Sequence, residues 1–287
     1  MSFPPELIAR HARDDAARAL AEDVGTGDLT AALIAAEARL RARVVAREAA
    51  VLAGRPWFDA VFAAVDTAAR IEWLAADGER IAAGQVLCRI EGSARSLLTA
   101  ERSALNFLQL LSGVATRTRQ HVDAAAGHRA RVLDTRKTLP GLRFAQKYAV
   151  VAGGGANHRM GLYDMVLIKE NHIAAAGGLR EAVLAARQRF PGVPAQVEVE
   201  TEAQLAEALD AGARLILLDN FSVERMAAAV RTTAGRAELE ASGGITLDTI
   251  AAIAATGVDR ISVGSLTKDV RALDLSMRFE DSPIAAT

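Results

Sequence analysis

Residues 196–220, QVEVETEAQLAEALDAGARLILLDN, decide the fold. Two β-rich apolar runs, Gln196 to Glu200 and Leu215 to Leu218, flank an alanine-rich segment of helical character. The same rhythm extends to both sides, with Arg131 to Asp134 and Asp164 to Ile168 upstream and Ala237 to Ala241 and Arg260 to Val263 downstream. Six strands alternating with helices predict βα units around a parallel sheet, and an α/β barrel as the architecture. In such a barrel the C-terminal ends of the strands form the active-site face. Read in order, those ends are Asp134-Thr135-Arg136-Lys137, Lys169-Glu170-Asn171, Glu198-Val199-Glu200, Asp219-Asn220, Ser242-Gly243-Gly244 and Gly264-Ser265.

Upstream of Arg131 the pattern changes. Leu97 to Val114 reads as a helix with a broad apolar surface built from Leu97, Leu98, Leu105, Leu108 and Leu111. On another of its faces Arg102, Asn106, Gln109 and Gly113 recur at helical spacing, for which a solvent face is the plain account. Further back, the short β-type runs Ala42 to Ala46, Val51 to Ala53, Ile71 to Leu74 and Val86 to Ile90 indicate a small α/β domain, punctuated by Asp77-Gly78 and Ala83-Gly84. The hairpin Asp77 to Gly84 has a faint likeness to biotinyl and lipoyl carrier modules but no lysine at its tip. Pro4 to Leu20 has helical spacing and runs into a polar loop, Glu22 to Thr30, with two glycines. The organisation expected is an N-terminal domain over residues 1–112 ending in the long helix, a barrel domain over 113–270, and a tail over 271–287 that returns to the N-terminal domain.

Bulk properties exclude several classes of function. Half of the 287 residues are apolar, so a large core can be buried and disorder is excluded. The 34 basic and 35 acidic residues leave a net charge of -1, with no overall field to draw in nucleic acid or anionic lipid. Any anion binding is therefore local. Cys88 is the only cysteine and sits in a strand-like run, as a buried thiol does, so no disulfide framework exists. The first 23 residues carry Glu6, Asp14, Asp15 and Glu22 and suggest neither a signal peptide nor a membrane span. The cytoplasm is the compartment expected.

The rim concentrates positive charge. Arg136 adjoins Lys137, Lys169 follows the second strand, and His158-Arg159 lies in the loop between, beside Gly153-Gly154-Gly155. Two like charges about 6 Å apart repel by about 3 kcal/mol at an effective dielectric near 20, so a cluster needs compensation. An ion-pair network with Glu170, Glu198, Glu200 and Asp219 would supply it, and so would bound anions; charge counting alone does not separate the two. The glycine turns Ser242-Gly243-Gly244 and Val263-Gly264-Ser265, after the last two strands, favour anions, because bare backbone there can approach a phosphate. Glu198 and Asp219 can hold Mg2+ through water or accept hydrogen bonds from sugar hydroxyls. His172 can cap or pack against its neighbouring helix, and no second histidine or cysteine stands at zinc-ligand spacing. Nucleophile-elbow and P-loop signatures are absent.

Long runs of the chain resemble the quinolinate phosphoribosyltransferases. The likeness is carried by Glu22 to Thr30, Glu101 to Gln109, Asp134-Thr135-Arg136-Lys137-Thr138, Gly153 to Asp164, Leu218-Asp219-Asn220 and Glu240 to Ile245. It implies an open, incomplete α/β barrel of about six parallel strands with an N-terminal α/β sandwich domain. It also implies a pentosyltransferase of NAD biosynthesis that joins quinolinate to phosphoribosyl pyrophosphate with Mg2+, releasing pyrophosphate and carbon dioxide. By the same resemblance Arg136, His158, Arg159 and Lys169 hold quinolinate, with Arg102 reaching in from the neighbouring subunit of a homodimer or larger homo-oligomer. Lys137, Lys169, Glu198 and Asp219 are the catalytic set and hold the phosphoribosyl donor together with Ser242, Gly243, Gly244, Gly264 and Ser265; Glu198 and Asp219 serve the metal. Three other readings fit the same residues: a homologue such as the molybdenum-transport-associated one acting on a different anion, a barrel aldolase using Lys137 or Lys169 as a Schiff-base amine, and a sugar-phosphate sensor without turnover.

Overall fold

The computed structural model describes residues 3–280, which fall into two compact units. The first takes in the chain through Arg119, then Pro140–Gly154, then the described residues from Asp269 onward. Its elements are α1 (Pro5–Asp23), β1 (Arg39–Ala46), β2 (Ala50–Val51), α2 (Arg55–Val65), β3 (Arg70–Trp73), β4 (Arg80–Ile81), β5 (Val86–Ser93), most of α3 (Ala94–Ala124), α4 (Arg143–Ala152) and, after the second unit's elements, β12 (Leu275–Phe279). Four strands form an antiparallel sheet in the order β12-β1-β5-β3. Trp57, Phe58 and Phe62 of α2, Leu97, Leu105, Leu108 and Leu111 of α3, and Ala145, Ala149 and Val150 of α4 share one core with that sheet. Fully burying each large side chain contributes about 1.5–3 kcal/mol. The indole of Trp57 is satisfied at the same time, donating to the buried Asp15 carboxylate at 2.7 Å.

Two sequence expectations change here. The helix expected over Leu97 to Val114 is longer, running from Ala94 to Ala124, and the first compact unit continues along it past residues 112 and 113 to Arg119. On its later turns Thr116 and Thr118 satisfy their hydroxyls by donating to the carbonyls of Ser112 and Val114, four residues back, at 2.7 and 2.8 Å. Residues 140–154, expected within the barrel span, instead pack α4 into the core of the first unit through Ala145, Ala149 and Val150. Gly153, which ends α4, belongs to that packing: an added Cβ would lie 2.5 Å from the carbonyl of Ala115.

The second unit spans Gln120–Leu139 and Gly155–Lys268. It holds β6 (Arg131–Leu133), β7 (Val166–Ile168), α5 (Glu170–Ala176), α6 (Leu179–Arg189), β8 (Ala195–Val199), α7 (Glu202–Asp210), β9 (Leu215–Asp219), α8 (Val223–Thr233), β10 (Glu238–Ser242), α9 (Ile250–Ala255), β11 (Arg260–Ser262) and α10 (Ser265–Lys268). The six strands are all parallel and ordered β6-β11-β10-β9-β8-β7. The first strand thus pairs with the last, and the barrel stays open between β6 and β7. Ala156 makes an isolated parallel bridge to Leu133, taking up backbone groups on the free side of β6. Val197, Val199, Ile216, Leu218, Leu239, Ala241 and Ile261 face a core shared with the helices. Because successive strand side chains point to opposite faces, Gln196, Glu198, Leu217, Asp219, Glu240, Ser242 and Ser262 turn the other way, into the barrel.

Candidate active site

The strand ends build one cavity of about 330 Å3, lined by Thr135, Arg136, Lys137, His158, Arg159, Leu167, Lys169, Glu198, Leu217, Glu240, Ser242 and Ser262. All of these belong to the second unit. Of the residues singled out in the sequence, the cavity gathers Arg136, Lys137, His158, Arg159, Lys169, Glu198 and Ser242. Asp219, Gly243, Gly244, Gly264 and Ser265 stand at the same strand ends without lining it, and Arg102 is exposed on α3 of the first unit.

Lys169 donates from Nζ to Glu198 Oε2 at 2.8 Å, and its own backbone N–H donates to His172 Nδ1 at 3.0 Å, so His172 serves the start of α5. Lys137 follows a turn in which its N–H donates to Thr135 Oγ1 at 3.0 Å, and its carbonyl accepts from Thr267 Oγ1 at 2.7 Å. Gly264 leaves room for its side chain, since an added Cβ would lie 3.0 Å from Lys137 Cδ. Arg159 donates from one guanidinium nitrogen to the Met165 carbonyl at 3.1 Å. Burial and, second, the neighbouring Arg136 guanidinium hold Arg159 below the ordinary arginine value, against the opposing pull of Asp164. Asp164 is no strand residue: its carboxylate accepts from the N–H groups of Met160 and Gly161, and β7 begins only at Val166.

His158 is 8% exposed and has both ring nitrogens engaged within the protein. Its Nδ1 accepts from the Arg159 N–H at 2.8 Å and its Nε2 lies 3.0 Å from Gln196 Oε1. Asp134, buried at the end of β6, accepts from the His158 N–H at 2.9 Å and from Asn157 Nδ2 at 2.6 Å. Asp219 accepts from Asn220 Nδ2 at 2.9 Å, and Asn220 adopts a left-handed φ of 54°. Gly243 fits against it at φ 103°, where an added Cβ would lie 2.1 Å from Asn220 Oδ1; Gly244, at φ 57°, faces open space. Sequence reading missed Gln196, Glu240 and Ser262. The signal was a polar residue at every second position of strands otherwise made of valine, leucine, isoleucine and alanine.

Fold and cavity together define an open α/β barrel with a cationic, carboxylate-lined pocket at the C-terminal rim of its strands. Models of the N-terminal and C-terminal domains of quinolinate phosphoribosyl transferase match residues 28–112 and 114–278. The chain belongs to the quinolinate phosphoribosyltransferase family. It is 45% identical over 276 residues to a nicotinate-nucleotide pyrophosphorylase (carboxylating) of Mycobacterium leprae, covering 93% of this chain and 96% of the relative. It is 42% identical to quinolinate phosphoribosyltransferase (decarboxylating) 1 of Nicotiana glauca, with 91% and 80% covered. The solved nicotinate-nucleotide pyrophosphorylase of Francisella tularensis superposes with a TM-score of 0.92 at 43% identity, over 97% of this chain and 98% of that one. Among the described residues, no helix is long and apolar enough to cross a membrane.

Proposed function

We infer that the protein transfers the phosphoribosyl group of phosphoribosyl pyrophosphate to quinolinate with decarboxylation, giving nicotinate mononucleotide, pyrophosphate and carbon dioxide for NAD biosynthesis. The observation that carries this reading is the gathering of Arg136, Lys137, Arg159 and Lys169, with Glu198, around one cavity in a chain of this family. Quinolinate is a flat dianion, which planar guanidinium groups grip through paired hydrogen bonds. Arg136, Arg159 and Lys169 are assigned to it, with His158 as the adjoining wall and Arg102 of a neighbouring subunit closing the site in a homodimer. The largely exposed Leu29, Leu33, Leu162 and Tyr163 are apolar surface of the kind that subunit contacts cover, which supports an oligomer. Lys137 and Lys169 are assigned to the diphosphate, and Ser242, Gly243, Gly244, Gly264 and Ser265 to the 5-phosphate. The cytoplasm is the compartment this reading gives the reaction.

Loss of pyrophosphate leaves positive charge on the ribose carbon, and Glu198 and Asp219 are the carboxylates assigned to stabilise it. The pyridine nitrogen then bonds to that carbon and becomes quaternary. When the adjacent carboxylate leaves as carbon dioxide, the electron pair left behind sits beside a positive centre before it takes up a proton. Such chemistry asks for fixed charge more than for general acids and bases. Mg2+ fits this donor set as a companion of the diphosphate, because magnesium commonly takes one or two carboxylates plus substrate phosphates. Among the described residues no group of three or more metal-ligating side chains comes together, and Glu198 with Asp219 would hold the ion, directly or through water. The chemistry such an ion would supply is neutralisation of charge on the departing diphosphate.

The test is release of carbon dioxide from carboxyl-labelled quinolinate, dependent on phosphoribosyl pyrophosphate and matched by nicotinate mononucleotide. Neither product at saturating substrates would overturn the reading.

A further inference from the structure

We propose that Glu240, buried beneath the cationic pocket, is a positioning residue that acts through Gln196 and His158 to set the place of Arg159. Gln196 on β8 and Glu240 on β10 reach each other across β9, with Gln196 Nε2 donating to Glu240 Oε2 at 3.0 Å. Each is 1% exposed. Bulk water therefore reaches neither, and a mismatched hydrogen bond there is costly.

The chain of contacts has only one self-consistent polarity. A carboxylate offers acceptors only, so the amide of Gln196 must turn its NH2 to Glu240 and its oxygen to His158. That oxygen, 3.0 Å from His158 Nε2, requires the proton on Nε2. Nδ1 is left as the acceptor for the Arg159 N–H at 2.8 Å. Glu240 Oε1, which has no hydrogen-bond partner, lies 3.5 Å from the same Nε2 and adds a second reason for that ring nitrogen to carry hydrogen. Arg159 is thus held at its backbone by the ring and at its guanidinium by the Met165 carbonyl. An amide at position 240 would direct NH2 at a ring N–H, two donors face to face, and the ring could respond only by moving or by exchanging its proton between nitrogens. Either response releases the Arg159 N–H.

The kinetic part of this inference rests on the quinolinate reading; the state of the ring does not. Three proteins decide it: wild type, Glu240→Gln, and the exchange pair Glu240→Gln with Gln196→Glu, which restores an acceptor toward His158 and keeps the charge. In wild type, nitrogen-15 spectra of labelled histidine, assigned by the signal lost in His158→Asn, are expected to show hydrogen on Nε2 and a bare Nδ1. Glu240→Gln is expected to raise KM for quinolinate about tenfold while KM for phosphoribosyl pyrophosphate changes by less than about twofold, and to disturb the ring signals. The exchange pair should recover both to within about threefold. Wild-type kinetics and ring signals in Glu240→Gln, a folded exchange pair without recovery, or a wild-type His158 protonated on Nδ1 would each overturn the proposal. Should Glu240→Gln fail to fold, the wild-type spectrum and the exchange pair still decide. Absence of quinolinate turnover in wild type would count against the functional reading, leaving the ring signals to judge the Glu240 contacts.

Discussion

Gly264 and Lys137 show how a residue without a side chain supports one with a charge. Gly264 does not need a left-handed backbone, so Gly264→Ala adds only a methyl group in contact with Lys137 Cδ. That substitution is expected to lower kcat/KM for phosphoribosyl pyrophosphate several-fold with little change in Tm; unchanged kinetics would mean that Lys137 does not hold the donor. Arg136 and Lys169 present the harsher case. Replacing either with alanine should reduce kcat/KM about a hundredfold or more in steady-state assays while the circular dichroism spectrum stays native, and near-normal rates would count against their assignment. Both cations were legible in the sequence because each stands just past a strand, Lys169 directly after β7 and Arg136 three residues beyond the end of β6. Gln196 and Glu240 were less so, since a polar side chain inside a strand shows its orientation only once the neighbouring strands set the register.

The long helix shows both the reach and the limit of periodicity. Its apolar surface was readable from Leu97 to Val114, yet its further turns carry Thr116 and Thr118, poor helix formers whose hydroxyls bond to carbonyls four residues earlier, so the local signal fades there. The stripe of Arg102, Asn106, Gln109 and Gly113 divides in the structure. Arg102 and Asn106 are exposed, whereas Gln109 Nε2 donates to the Leu273 carbonyl at 2.8 Å and Gly113 sits where a Cβ would lie 2.2 Å from the Arg271 carbonyl. Half of that face therefore docks the returning C-terminal segment. Glu48 fastens the same segment, accepting from both terminal guanidinium nitrogens of Arg271 and from the Asp274 N–H. These bonds hold the Glu48 carboxyl below its ordinary value of 4.5, with the Arg271 hydrogen bond the largest cause. A carboxyl with a depressed folded-state pKa stabilises the fold above its unfolded value and loses that contribution as pH falls through the folded one. Wild type should thus have a higher Tm than Glu48→Gln at pH 7, and the gap between the two should narrow progressively as the pH falls below 4.5. A gap that persists in acid would mean that packing, not charge, ties the strand down.

At the scale of the molecule the barrel is open between β6 and β7, and Arg136, Lys137, Arg159 and Lys169 share one cavity at the rim of its strands. With Arg102 exposed on the first unit, the homodimer reading predicts complementation. Arg102→Ala and Lys169→Ala proteins, each inactive alone, should regain partial activity when mixed under conditions of subunit exchange, because some hybrid sites carry neither lesion. No recovery despite demonstrated exchange would argue against a shared site. The sequence by itself determined the βα rhythm, the six strands and the cations and glycines at their ends, since strand period, helix spacing and turn chemistry are local properties of the chain. Only the tertiary structure decided that residues 140–154 leave the barrel for the first core and that the first strand pairs with the last. The linking of Asp134, His158, Gln196 and Glu240 into one buried set belongs to it as well. Those outcomes depend on register, burial and hydrogen-bond polarity between segments far apart in sequence, which no window along the chain contains.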